Sequence, residues 1–203
     1  MNILFLLEKS NKNYPSYLKT LSNFSSDKIF IKSDELNSNY MIDNGINIIL
    51  KDRYKHADSL KSSNIDLNKI PYYHFHPGYL PHNMKMDSNL WSIINDTPKG
   101  STIIRMYDLE WNRYDIIARE EIYFNENDTL SSSFEKCCDS FKISFEKSWQ
   151  AMRDLSYKKI NYNIRDGKIY DGSEKKKFLK YLSKGYDTKV NEVKKLWDEY
   201  NSN

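Results

Sequence analysis

Glycine and cysteine are both scarce in this chain: its 203 residues hold 6 glycines and 2 cysteines. No glycine occurs between Gly45 and Gly78 or between Gly100 and Gly167. Any backbone position there that needs φ > 0 or close approach to a ligand must therefore carry a side chain. The cysteines, Cys137 and Cys138, are adjacent. Neighbours on a helix point in different directions, which argues against a bridge and for a reducing, cytoplasmic setting. A long apolar run is missing too. Met1-Asn2-Ile3-Leu4-Phe5-Leu6-Leu7 is too short to span a bilayer and lacks the basic start and cleavage site of a signal peptide, so no membrane insertion is expected. Nor is there an excess of one charge: 31 basic against 28 acidic residues leave +3, a balance that gives no footprint for nucleic acid. What remains is an ordinary globular composition, 29% charged and 39% hydrophobic, in a chain long enough for one domain with a small appendage.

Apolar runs predict strands at 3–7, 28–31, 46–50 and 72–76. Between them, Tyr17, Leu18, Leu21 and Phe24 have helical spacing, Ser33-Asp34-Glu35-Leu36 opens a helix that Asn44-Gly45 closes, and 55–62 suits a short helix. This alternation implies parallel strands with right-handed crossovers. After a loop at 77–87 come a helix around Leu90–Ile94, strands at 102–106 and 115–118, and a long helix capped by Asp128 that runs to about Leu155. Leu130, Phe134, Cys138, Phe141, Phe145, Trp149 and Met152 would form its inward face. In the tail, alternation around Arg165-Asp166-Gly167 predicts a hairpin over 159–171. A lysine-rich helix with a solvated face follows at 174–183, and a last helix after Gly185-Tyr186-Asp187-Thr188 turns Val190, Val193, Leu196 and Trp197 inward. The expected division is 1–155 and 156–203, the second part being the kind of hairpin-helix unit that makes homodimer contacts.

The densest chemistry lies in Tyr72-Tyr73-His74-Phe75-His76-Pro77-Gly78-Tyr79-Leu80-Pro81-His82-Asn83. A buried strand that stops at a His-Pro-Gly turn displays an imidazole as a catalytic base would be displayed. On a strand, His74 and His76 share a face, and with His56 or His82 they could ligate zinc. The His-x-His pair has no suitably spaced Asp or Cys motif beside it, so no metal site is assigned.

Several segments stand in a telling order: His76-Pro77, Leu80-Pro81, Asn83, Asn89-Leu90-Trp91-Ser92-Ile93, Thr97-Pro98-Lys99-Gly100-Ser101-Thr102-Ile103 and Asp115-Ile116-Ile117-Ala118. Together they resemble the formyltransferase family, in particular the bacterial nucleotide-sugar N-formyltransferases. The resemblance implies a Rossmann-like α/β fold, like the N-terminal part of methionyl-tRNA formyltransferase, with a mostly parallel sheet flanked by helices and a small C-terminal hairpin-helix appendage. It implies transfer of a formyl group from formyl-tetrahydrofolate to the amine of a nucleotide-linked amino sugar, without a metal, in surface polysaccharide synthesis. His76 takes the place of the family's histidine, the base. His74 stands at the family's asparagine and Asn112 at its aspartate, completing the catalytic set. Arg53, Tyr54, Arg113 and Tyr114 fall in the loops that border the folate, and Tyr79 and Asn83 flank the sugar. A carboxylate replaced by asparagine cannot steady an imidazolium; the comparable change in a serine protease costs about 10⁴ in rate. The second reading is therefore a catalytically silent member that binds a sugar nucleotide or a protein partner.

Overall fold

The computed structural model describes residues 1–203 except Lys9, Ser38, Ala57, Ser63, Asn64, Asp171 and Asn203, with the backbone alone for Ile164. In chain order the elements are β1 (Asn2–Leu7), α1 (Tyr14–Leu21), β2 (Lys28–Lys32), α2 (Tyr40–Asp43), β3 (Ile48–Asp52), α3 (Asp58–Lys61) and β4 (Tyr72–His76). There follow β5 (Met84–Lys85), α4 (Ser88–Ile94), β6 (Gly100–Met106), β7 (Tyr114–Glu121) and α5 (Leu130–Arg153). The tail holds β8 (Ile169–Tyr170), α6 (Gly172–Tyr181) and α7 (Val190–Ser202). One sheet has the order β2-β1-β3-β4-β6-β7, and a two-stranded sheet pairs β5 with β8. The fold is α/β with a mostly parallel sheet flanked by helices, as the apolar runs suggested.

Two compact units divide the chain. The first comprises Met1–His76, Ile103–Ala118 and Lys142–Ile160. Here β1 runs parallel to β2 and β3, and β3 parallel to β4. Ile3, Leu4, Phe5 and Leu6 are fully buried, as expected of a strand covered on both faces. Because β1 lies between β2 and β3, the strand order reverses there, and ligands of such sheets bind beyond the strand ends at that point. On one face Phe5, Tyr17, Phe75 and Phe145 form a ring cluster with centroid separations of 5.1–6.4 Å. The face is completed by Tyr73, whose hydroxyl donates to the Met152 carbonyl at 2.8 Å. The segment entering β4 is held by Arg105, whose guanidinium donates to the carbonyls of Leu67 (2.8 Å) and Ile70 (3.3 Å).

The second unit comprises Pro77–Thr102, Arg119–Phe141 and Asn161–Asn203. Every residue of α4 is buried. Trp91 stacks on Tyr170 at 4.1 Å, and Trp197 meets Phe178 edge-on at 4.9 Å. Val190, Val193, Leu196 and Trp197 all pack into this cluster, so the helical spacing read for the last helix holds.

Three expectations need correction. The helix opened at Ser33 shrinks to α2, because Asn37 Oδ1 accepts the Asn39 N–H at 3.1 Å, a side-chain turn that competes with helical bonding. The cap of α5 is Thr129 rather than Asp128: its Oγ1 accepts the Ser132 N–H while Ser132 Oγ accepts the Thr129 N–H. Asp128 instead takes the Lys136 ammonium at 2.7 Å. The tail hairpin does not close on itself. Its first arm is occupied elsewhere, Ile160 N–H donating to the Ile116 carbonyl within the first unit. Its second arm is β8, which pairs in parallel with β5 within the second. Asp171, the end of the expected hairpin, lies outside the described residues.

Candidate active site

The paired strands β3 and β4 set Lys51 opposite His74 in register, so both project from the same face of the sheet, and the alternation of β4 adds His76 to it. The Lys51 ammonium Nζ lies 3.2 Å from His74 Nδ1. The two imidazole centroids are 6.2 Å apart, and Trp111 meets each of them edge-on at 5.1 Å. Trp111 is set there by a tight turn: Asp108 Oδ1 accepts the N–H groups of both Glu110 (2.9 Å) and Asn112 (3.0 Å), and Trp111 itself has φ 67. A cavity of about 80 Å³ beside this group is lined by Lys51, Leu60, Lys61, Tyr72, His74, Met106, Leu109 and Trp111. Ordinary ligand pockets run from about 300 to 1,000 Å³, so this one admits a reacting group and not a whole ligand.

Burial decides the charge state here. His76 is 2% exposed, and burial, then the Lys51 charge, holds its imidazole down to about 3. The same causes in the same order, with His76 third, keep His74 well below the usual imidazole range. Both rings are neutral at working pH. Lys51 is pushed down to about 8, again by burial, against the pull of Asp52. Asp52 lies on the opposite face, fully buried, where it accepts from Tyr17 Oη and Asn11 Nδ2, each at 2.8 Å, with Arg53 Nε at 3.6 Å. Burial nevertheless raises its carboxyl above the usual range.

The structure separates the other residues singled out in the sequence. Asn112 is exposed, and the side chain that reaches both imidazoles is its neighbour Trp111. Arg53 has φ 50 and pairs with Asp52. Tyr54 is buried, its hydroxyl donating to the Asp34 carbonyl at 2.6 Å. Arg113 donates to Asn68 Oδ1 at 2.8 Å and lies over the Tyr107 ring, while Tyr114 is buried at the start of β7 with its ring 6.2 Å from that of Trp111. In the second unit the Tyr79 ring lies under the Arg119 guanidinium at 4.7 Å, and the same guanidinium donates to the Leu80 carbonyl at 2.9 Å. Thr102 Oγ1 accepts from the Leu80 N–H and donates to the Gly78 carbonyl. Asn83 is buried, its amide donating to Thr97 Oγ1 at 2.6 Å and accepting from Asn95 Nδ2 at 3.1 Å. Tyr79 and Asn83 thus fix the course of their loop. Among the described residues no group of three or more His, Cys, Asp or Glu is arranged to hold a metal ion, and no helix is long and apolar enough to cross a membrane.

No family model matches the sequence. Solved structures do match. The formyltransferase PseJ from Anoxybacillus kamchatkensis, in complex with UDP-4,6-dideoxy-4-formamido-L-AltNAc and tetrahydrofolate, superposes with a TM-score of 0.72 and 26% identity over 95% of this chain and 97% of its own. A sugar N-formyltransferase from Shewanella sp FDAARGOS_354 gives 0.74 and 17% over 96% and 86%. A 4-N formyltransferase from Francisella tularensis gives 0.70 and 17% over 88% and 79%. The strand order and this end-to-end likeness converge: the chain has the formyltransferase fold and is similar to PseJ over nearly its whole length.

Proposed function

We propose that this protein transfers a formyl group from formyl-tetrahydrofolate to the amine of a nucleotide-linked amino sugar. The observation that carries the proposal is the likeness to PseJ over nearly the whole of both chains. The chemistry of the imidazole face supports it. An amine that attacks a formyl carbon must lose a proton, and the tetrahedral oxyanion needs donors. His76, buried and neutral, offers a nitrogen lone pair for the proton. Its low basicity means that it accepts the proton only as negative charge develops beside it, because a neighbouring anion raises the pKa of an imidazole. His74 offers an N–H to the oxyanion from a nitrogen other than the one that faces Lys51. The cavity beside His74 has room for a reacting group. The polar groups present therefore suit the reacting end of the formyl donor.

The test is formation of the N-formyl product, read by mass spectrometry, with formyl-tetrahydrofolate and a panel of UDP- and dTDP-linked amino sugars. Product that depends on both substrates is the expected result; no product, with no folate binding by calorimetry, overturns the proposal. A silent relative is the second reading. It is favoured by Asn112, a neutral and exposed residue at the position of the family's carboxylate. Sugar-nucleotide binding without turnover would select it.

A further inference from the structure

We propose that Lys51 is a positioning residue for this transfer: its ammonium donates to His74 Nδ1 and thereby fixes that imidazole as the Nε2-protonated tautomer, so that Nε2–H is the donor presented to the oxyanion. The inference rests on the function proposed above. A neutral imidazole has one donor nitrogen and one acceptor, and only an external partner decides which is which. A charged lysine has three donors and no acceptor. At 3.2 Å the nitrogen facing it must accept, and the ring proton must sit on the other nitrogen. An asparagine amide presents its N–H without such help. A histidine in that position needs a fixed tautomer to do the same work, and the residue opposite His74 in the β3–β4 register supplies it.

The surroundings explain why the ammonium is directed at the ring. Asp52, the carboxylate next to it in sequence, faces away and is engaged by Tyr17 and Asn11. Across the same cavity stands Lys61 from α3, whose own ammonium is held by Glu110 at 3.0 Å and Asp58 at 3.6 Å. His76 shares the face, and the Lys51 charge disfavours protonation of its imidazole. Arg53, following on the strand, turns to Asp52. His74 is thus the acceptor within reach on this face. The half-buried position pushes Lys51 down to about 8, so the fixed tautomer belongs to the pH range below that value and loosens above it.

The experiment is a long-range proton–nitrogen correlation spectrum of protein labelled with ¹⁵N-histidine, recorded at pH 7 on wild type, Lys51→Met and Lys51→Arg. Wild type should show His74 as the Nε2–H tautomer. Lys51→Met should redistribute it toward Nδ1–H, and Lys51→Arg, which also donates and cannot accept, should restore the wild-type pattern. In turnover, Lys51→Met should lower kcat by about 10²-fold, the scale of one oxyanion donor, with KM for the sugar nucleotide little changed and partial recovery in Lys51→Arg. A wild-type His74 in the Nδ1–H form, or a tautomer indifferent to Lys51→Met, overturns the inference. Should Lys51→Met fail to fold, the wild-type and Lys51→Arg spectra still decide it, the Nε2–H form in both sustaining it and the Nδ1–H form in either refuting it. The spectra need no substrate. Absence of formyl transfer in wild type would thus strike the proposed function, and a wrong tautomer would strike this inference alone.

Discussion

Replacing His76 by alanine should lower the rate of formyl transfer by about 10²–10⁴-fold, the range for removing a general base, with the fold retained. His76 sits at the very end of β4, 2% exposed, with the Trp111 ring edge-on at 5.1 Å and the His74 ring at 6.2 Å. The loss should appear in kcat, since in the proposed reaction the imidazole would meet the reacting amine and not the nucleotide. The charge state gives a second reading of the same residue. Because the ring is held at about 3, the neutral form persists from pH 8 down to pH 5. The His76 nitrogen signals should then stay constant across that range, whereas an ordinary histidine titrates within it. A variant whose rate falls by less than tenfold while its thermal unfolding is unchanged would remove His76 from the mechanism. A His76 titration midpoint near 6.5 would show that the ring is not buried as described.

Gly100→Ala should destabilise the second unit by about 3 kcal/mol or more, the upper part of the range for overpacking a dense interior. A Cβ on Gly100 would stand 2.1 Å from the Glu120 carbonyl oxygen, 3.1 Å from its carbon and 3.1 Å from Tyr79 Cδ2. The first two are backbone atoms of the neighbouring strand, tied in place next door by the Ile122 N–H donating to the Lys99 carbonyl at 2.9 Å. They have no rotamer through which to retreat. The third is the ring that lies under Arg119, so relief on that side disturbs the loop carrying Leu80 and Pro81. The measurement is the urea midpoint at constant m-value. A loss below about 1 kcal/mol, the ordinary scale for a point substitution, would mean that β6 and β7 can part at this point at little cost.

The sheet was legible because each strand of its parallel half is an apolar run closed by polar or turn residues. Ile3–Leu7 and Tyr72–His76 are cases where composition and burial coincide. The last helix was legible for the analogous reason, since Val190, Val193, Leu196 and Trp197 leave one inward stripe. What escaped depended on partners distant in sequence. The two arms of the expected hairpin each found another strand to pair with, which local alternation cannot reveal. Lys51 was read as a loop residue because the apolar run ends at Leu50. The strand continues to Asp52, and that continuation is what sets Lys51 beside His74. The resemblance set Asn112 at the family's aspartate, yet position in a sequence does not fix direction in a tight turn. The positive φ at Trp111 brings the indole to the imidazoles. The signal in the sequence was a tryptophan placed in an otherwise polar connection, beside a strand carrying two histidines.

The end of β3 carries opposite charges on opposite faces, and both are held against burial. Lys51 has a lower pKa folded than unfolded, so its contribution to stability grows only as pH rises from about 8 toward its ordinary value of 10.5. Asp52 has a higher pKa folded than unfolded, so its contribution is greatest in acid and is lost as pH rises past the ordinary carboxylate range. In its charged form neither side chain gains from its burial at this strand end. The residues that would address the substrate are thus mounted beside two buried charges whose desolvation works against the strand end that carries them.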